Sequence, residues 1–233
     1  LSDKNPPLFS YFKQLFAQVS NPPLDAIREK LVTSLELTCG RERNLFEQTP
    51  EHCAQLRLAS PIITNEQLTK IIDIDVSGIK SKTISTLFNV KAGRGSLENS
   101  MDRICKEASE AIKQGYEILI LSDKGVNSAN APVPSLLATA GVHHHLIREG
   151  SRSQVGLVVQ SGEPREVAHF ALLIGYGAAA INPYMVFESL DSINKTRLAR
   201  QTKLTSGNYI KAANKGILKI MSKMGISTLQ AYR

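Results

Sequence analysis

The chain has 233 residues, 42% of them hydrophobic and 21% charged, enough to bury a sizeable core and too apolar for wholesale disorder. Its 28 Lys and Arg against 21 Asp and Glu give +7, but this charge is scattered through KSK, KAGR, REGSR and NKTRLARQTK, and aromatics make up only 6%. A nucleic-acid footprint would cluster or interleave with stacking rings, so no nucleic-acid partner is expected; with no run near the ~18 apolar residues of a membrane span, neither is a membrane.

The opening LSDKNPPLFSYF has no basic or apolar leader pattern and reads as part of a longer protein. LFSYFKQLFAQV carries Leu8, Phe12, Leu15, Phe16 and Val19 at helical spacing, which predicts a helix stopped by the prolines of NPP. LDAIREKLVTSLEL predicts a second helix ending near Gly40. The stretch from there to residue 64 is irregular. NEQLTKII reads as a short helix with Asn65 as its cap.

From there the pattern alternates. TISTLFNV, YEILILSD, QVGLVVQSGE and AAAIN read as apolar strands. Between them, residues 95–115, 133–150 and 164–177 read as helices, each closed by glycine. Strands joined through long helices predict an α/β fold around a parallel sheet, either doubly wound or part of a (β/α) barrel. Residues 191–203 read as a charged linker, and SGNYIKAANKGILKIMSKMGI as a helix whose apolar face of Tyr209, Ile210, Ala213, Ile217, Ile220 and Met224 finds no partner before the sequence stops. The division expected is therefore 1–64 as a helical and irregular N-terminal part, 65–190 as the α/β core, and 191–233 as linker and helix.

Reactive groups of parallel sheets gather where strands end. LSDKGVN supplies Asp123, Lys124 and Asn127 there, and QSGEPRE supplies Glu163 and Arg165. A strand-end lysine with a nearby carboxylate is the arrangement of a Schiff-base enzyme; the same residues also serve as ordinary loop anchors and helix caps. KAGRGS opens a helix but fits no phosphate-loop pattern, so a flexible turn is its reading.

The triplet His143, His144 and His145 would lie on a helix advancing ~100° per residue, so the three rings span ~200° and cannot converge on one ion. Only His145 and Glu149 have a helical ligand spacing, and two ligands do not make a metal site. His144 shares the stripe of Leu137, Ala140 and Ile147, expected to face the sheet, while Val142 and Leu146 form a second apolar stripe. Cys39, Cys53 and Cys105 form no C-x-x-C pair, which argues against a disulfide framework or an iron-sulfur cluster here and for buried thiols in a reducing compartment.

Three stretches, YFKQLFAQVSNPPLDAIRE, LSDKGVNSANAPVPSLLATAGVHHHLIREGSRSQVGLVVQSGEPREVAHFALLIGYGAAAINPY and NYIKAANKGILKIMSKMGISTLQAYR, together resemble the large chain of glutamate synthase, in the family's order. The part they resemble is its central domain, with the last segment leading toward the FMN-binding domain. The resemblance implies a partial (β/α) barrel-like domain with a helical N-terminal extension, belonging to an enzyme that makes glutamate from glutamine and 2-oxoglutarate. It implies FMN and an iron-sulfur cluster for the full-length enzyme but no cofactor, catalytic residue or metal ligand in this segment. The implied partners are the amidotransferase and FMN-binding domains of the same chain, with ferredoxin or an NADPH-dependent small subunit as electron donor. The expected compartment is bacterial cytoplasm or plastid stroma. The family's ammonia channel passes near the segment matching QVSNPPLD, so Ser20 and Asn21 are expected to border it, and His143 and His145 to meet a neighbouring domain. The competing expectation is a self-contained barrel enzyme acting through Asp123, Lys124 and Glu163.

Overall fold

The computed structural model describes residues 4–13, 23–74, 76, 78–195 and 205–232. In chain order it contains helix α1 (Glu29–Val32), strands β1 (Leu37–Cys39) and β2 (Leu56–Leu58), helix α2 (Asn65–Ile72), strands β3 (Ser81–Ser85) and β4 (Leu87–Asn89), and helix α3 (Ser96–Lys113). Strands β5 (Ile118–Ser122) and β6 (Asn130–Pro132), helix α4 (Ser135–Arg148), strand β7 (Gly156–Gln160), helix α5 (Val167–Gly175), strand β8 (Ala180–Asn182) and helices α6 (Tyr184–Lys195) and α7 (Ser206–Met224) follow.

Four strands form one parallel sheet in the order β3-β5-β7-β8. Sequential order is the pattern of a barrel segment; a doubly wound sheet would reverse its order partway. Residues 61–63 extend the sheet past β8: Ile62 bridges Ile181 in parallel, with Ile181 N donating to Pro61 O at 2.7 Å and Ile63 N to Ile181 O at 3.0 Å.

The sheet is apolar on both faces. Ile84, Leu119, Leu121 and Leu157 pack with Ile104 and Ala108 of α3 and with Ala138, Val142 and Leu146 of α4. In the alternating register, Ile118, Ile120 and Val158 point the other way and join a second core with Ile62, Ile63, Leu68 and Ile71. Helix α2 starts beside β8, where Asn65 Oδ1 accepts from Asn182 Nδ2, and ends beside β3, where Ser81 Oγ donates to Ile72 O. Its eight residues are about 12 Å long, close to the roughly 14 Å of three inter-strand spacings. Helix α2 therefore lies across the face that a complete barrel would close with further strands.

Several expectations change. The cap of α2 is Thr64, not Asn65: Thr64 Oγ1 accepts from Gln67 N, and the Gln67 side chain answers the Thr64 N–H. The second predicted helix survives only as the single turn of α1. From Thr33 to Cys39 burial alternates residue by residue, and that period of two places TSLELTC in an extended segment paired through β1 to β2. The first predicted helix is a 3₁₀ turn over Leu8–Tyr11 followed by an extended Phe12, and its continuation through 14–22 lies outside the described residues. Of the predicted linker, 191–195 continues α6 and 196–204 lies outside the described residues.

The apolar face of α7 does have a partner. Ile217 and Met221 are buried in the same core as Phe170 and Leu173 of α5, and a Cβ added at Gly216 would stand 2.4 Å from Val167 Cγ2. Met224 is exposed. On α4 the two stripes exchange roles: Val142 and Leu146 face the sheet, while Leu137, His144 and Ile147 are exposed. Two faces of α4 carry apolar side chains, and Ala138, small enough for close approach to the sheet, joins Val142 and Leu146 on the inward stripe.

Candidate functional site

Strand register builds the site. Ser85, Ser122, Gln160 and Asn182 are partners in consecutive pairings, so they form one transverse row at the carboxyl edge of the sheet. Ser122, Gln160 and Asn182 each follow apolar strand residues, and the carboxyl edge is where open α/β sheets present functional groups. Ser122 Oγ donates to Gln160 Oε1 at 2.6 Å. Asn182 Nδ2 donates to Ile63 O at 3.1 Å and to Asn65 Oδ1 at 2.9 Å. A backbone carbonyl only accepts, so this contact fixes the orientation of the Asn182 amide; its Oδ1 is buried without a hydrogen-bond partner among the described residues.

One residue further along lies a buried carboxylate. Asp123 is 3% exposed. Its Oδ2 accepts from Ser161 Oγ at 2.5 Å, and Gly162 N donates to the same carboxylate at 3.1 Å. The Tyr184 phenol, at the start of α6, lies near enough to interact with it. Burial pushes the Asp123 carboxyl up from its ordinary value against the lowering effect of these donors. Burial and the adjacent Asp123 charge raise the Tyr184 phenol, so it stays protonated as a donor.

Glu163 Oε2 accepts from Ser135 N at 2.6 Å and from Ser135 Oγ at 2.7 Å. It thus caps the amino end of α4, which carries no cap of its own, and places negative charge where the helix dipole favours it. Lys124 is exposed and forms no ion pair with Asp123 or Glu163 among the described residues. Asn127 closes its own turn, accepting from Ala129 N and Asn130 N. Arg165 O accepts from Tyr209 OH at 2.9 Å. The strand-end residues are thus gathered at one edge, with Asp123 and Glu163 both holding loops.

The histidines point to different neighbours. His143 Nδ1 accepts from Arg152 Nε at 2.9 Å, and the same guanidinium donates to Val155 O and Gly177 O at 2.7 and 2.8 Å. This ties α4 to the turn after α5, beside a cavity of about 490 Å³ that Glu42 and Gln230 also line. His145 Nε2 lies 2.9 Å from Ser109 Oγ of α3 and 3.5 Å from Glu149 Oε1, and Ser109 Oγ donates to Glu149 Oε2. The predicted spacing pair, His145 and Glu149, is therefore joined by a serine across two helices. His144 is exposed and meets the Tyr176 ring edge-on at 6.4 Å. Among the described residues, no group of three or more His, Cys, Asp and Glu is gathered as for a metal ion. Cys39 is buried against Gly156, Cys105 is half-buried with its thiol pushed up by desolvation, and Cys53 is exposed, against the expectation of buried thiols. Ser20 and Asn21 lie outside the described residues.

Sequence reasoning missed Ser122, Gln160, Asn182 and Tyr184. Its available signal was that ILILS, GLVVQ and AIN each end an apolar strand on a polar residue at the same register position.

A four-strand parallel sheet in sequential order, covered by helices and with polar residues along its carboxyl edge, defines a (β/α) half-barrel domain. Residues 1–233 match the model of the glutamate synthase central domain. The chain is 45% identical over its whole length to the glutamate synthase [NADPH] large chain of Bacillus subtilis, covering 15% of that protein. It is 42% identical to the glutamate synthase [NADH] of Schizosaccharomyces pombe and 40% identical to the ferredoxin-dependent glutamate synthase of Pyropia yezoensis, again over its whole length and covering 11% and 16% of those chains. The chain belongs to the glutamate synthase central domain family, and it spans about a sixth or less of the length of these relatives. Among solved structures, the flavin-binding domain of baker's yeast flavocytochrome b2 is similar with a TM-score of 0.42 and 15% identity, covering 55% of this chain and 31% of that one. A pyruvate-bound flavocytochrome b2 variant reaches 0.46 at 11% identity, covering 72% and 49%.

Proposed function

We propose that this chain serves glutamate synthesis as a connecting domain, holding an amidotransferase domain and an FMN-binding domain at fixed separation and bordering the path of ammonia between them. The observation that carries the reading is the use of the strand-end groups. Asp123 accepts from Ser161 and Gly162, and Glu163 caps α4, so both stiffen the edge where a barrel enzyme would keep groups available to substrate. A stiff spacer suits channelling, because a fixed distance between two reactions replaces a diffusive encounter.

In this reading Ser20 and Asn21 border the ammonia path, and His143 and His145 brace α4 against its neighbours at an interdomain face. FMN and the iron-sulfur cluster belong to other parts of the complete enzyme. The cysteines here do not fit a cluster, since Cys39 is enclosed by packing and Cys53 sits on an exposed turn. Reducing equivalents arrive from ferredoxin or an NADPH-dependent small subunit, in bacterial cytoplasm or plastid stroma.

The test is an assay of the purified chain with glutamine, 2-oxoglutarate and a chemical reductant. A connecting domain carries no flavin absorbance and forms no glutamate. Flavin carried through purification, or glutamate formed by the chain alone, would overturn the reading in favour of a self-contained barrel enzyme working at Asp123, Lys124 and Glu163.

A further inference from the structure

A groove of about 600 Å³ runs between α7 and residues 30–36. Leu35, Ile210 and Leu218 give it apolar walls, and Lys30, Lys211 and Lys215 stand along it. Lys211 and Lys215 are four apart on α7, so their charges share one face and repel.

The charges near this groove divide into two sets. Lys219, on the same helix, is paired with the buried Glu29 at 2.9 Å. The acidic lining residue Glu36 is held by Arg57 through contacts of 2.5 and 2.9 Å. Lys30, Lys211 and Lys215 have no ion-pair partner among the described residues. The groove therefore presents three uncompensated positive charges over apolar walls. A small anion would satisfy the lysines and leave the apolar walls of Ile210 and Leu218 unfilled; a polypeptide segment covers both.

We propose that the groove seats a carboxylate-bearing, partly apolar segment of the same polypeptide, from outside these 233 residues. The inference rests on the connecting-domain reading. Two observations select this occupant: the charge complementarity, and relatives in which the matching stretch is only 11–16% of the chain. Docking places Asp or Glu side chains against Lys211 and Lys215 and apolar side chains against the half-buried Ile210 and Leu218, relieving like-charge repulsion and covering the apolar walls.

The test uses the full-length protein. Its lysines are acetylated with a water-soluble succinimidyl ester, and rates at Lys30, Lys211 and Lys215 are compared by mass spectrometry with those in urea. A parallel sample is treated with carbodiimide, which joins lysines to touching carboxylates without a spacer. Docking predicts protection of about tenfold or more at the three lysines, and cross-links from Lys211 or Lys215 to one acidic segment outside residues 1–233. The double variant Lys211→Glu, Lys215→Glu should expose Lys30 while the circular dichroism spectrum is kept; if that protein does not fold, Lys211→Gln, Lys215→Gln takes its place.

Acetylation at the rate found in urea, or cross-links confined to residues 1–233, overturns the proposal. So does protection that disappears on dialysis and returns with citrate, since that identifies a small anion as the occupant. Failure of the connecting-domain reading shows separately, as flavin or glutamate formation by the chain alone.

Discussion

Replacing Gly177 with alanine tests the link between the histidine helix and the sheet. Gly177 sits at φ +100°, where a side chain is rarely accommodated, and an added Cβ would lie 2.1 Å from His143 Nδ1 and 2.9 Å from its Cγ. The ring cannot simply swing aside, because Arg152 holds Nδ1 while also holding Gly177 O and Val155 O. Overpacking of this kind costs about 1–3 kcal/mol, and the backbone strain about as much again. Gly177→Ala should therefore destabilise the chain by about 2–6 kcal/mol, a large part of the roughly 5–15 kcal/mol typical of a domain. His143→Ala removes the clashing ring and its bond to Arg152, at a cost of about 1 kcal/mol. The double variant then keeps the strain and loses the clash, so urea denaturation of the four proteins should give a coupling of about 1–3 kcal/mol. Costs that simply add, within about 0.5 kcal/mol, would refute the packing of His143 against Gly177.

Other substitutions probe separate contacts. Arg43→Ala strips the partner from Glu117, whose carboxyl burial already holds above its ordinary value; the loss should approach 3 kcal/mol. Because that pKa is raised, the penalty falls on the ionised form, is absent below about pH 4.5 and grows as pH rises, a trend that denaturation at several pH values will display. His169, stacked on Phe9 with ring centroids 4.4 Å apart, has its pKa lowered by burial. The fold excludes its charged form, so the chain should lose stability as pH falls below about 6.5, and His169→Gln should flatten that part of the pH profile. Glu163→Ala removes the cap of α4 and should cost about 1–2 kcal/mol, with synthase turnover of the full-length protein kept once it is folded; turnover abolished in a folded protein would favour a catalytic Glu163.

The alternating half of the fold was legible because each apolar strand and amphipathic helix is punctuated by glycine, and Gly115, Gly150 and Gly177 all adopt positive φ in the structure. The N-terminal part was not, because TSLELTC satisfies two periods at once and pairing with residues 56–58 decides between them. The inward stripe of α4 was misassigned for a similar reason: both stripes are apolar, and only packing against Leu119 and Leu157 shows which is buried. At the carboxyl edge, Asp123 and Glu163 were found from their strand-end positions. The polar ends of ILILS, GLVVQ and AIN could be read singly but not as a row, since Ser122, Gln160 and Asn182 lie far apart in sequence and become neighbours only through parallel register.

The role proposed for this domain is to help keep ammonia between two active sites. Its most direct test is the stoichiometry of the full-length protein carrying Ser20→Phe: glutamine hydrolysed, 2-oxoglutarate consumed and ammonia released, measured together. On the proposed reading, bulk at Ser20 predicts glutamine hydrolysis in excess of 2-oxoglutarate consumption, with the difference appearing as free ammonia. Equal consumption of both substrates with no ammonia released, at undiminished turnover, would contradict it.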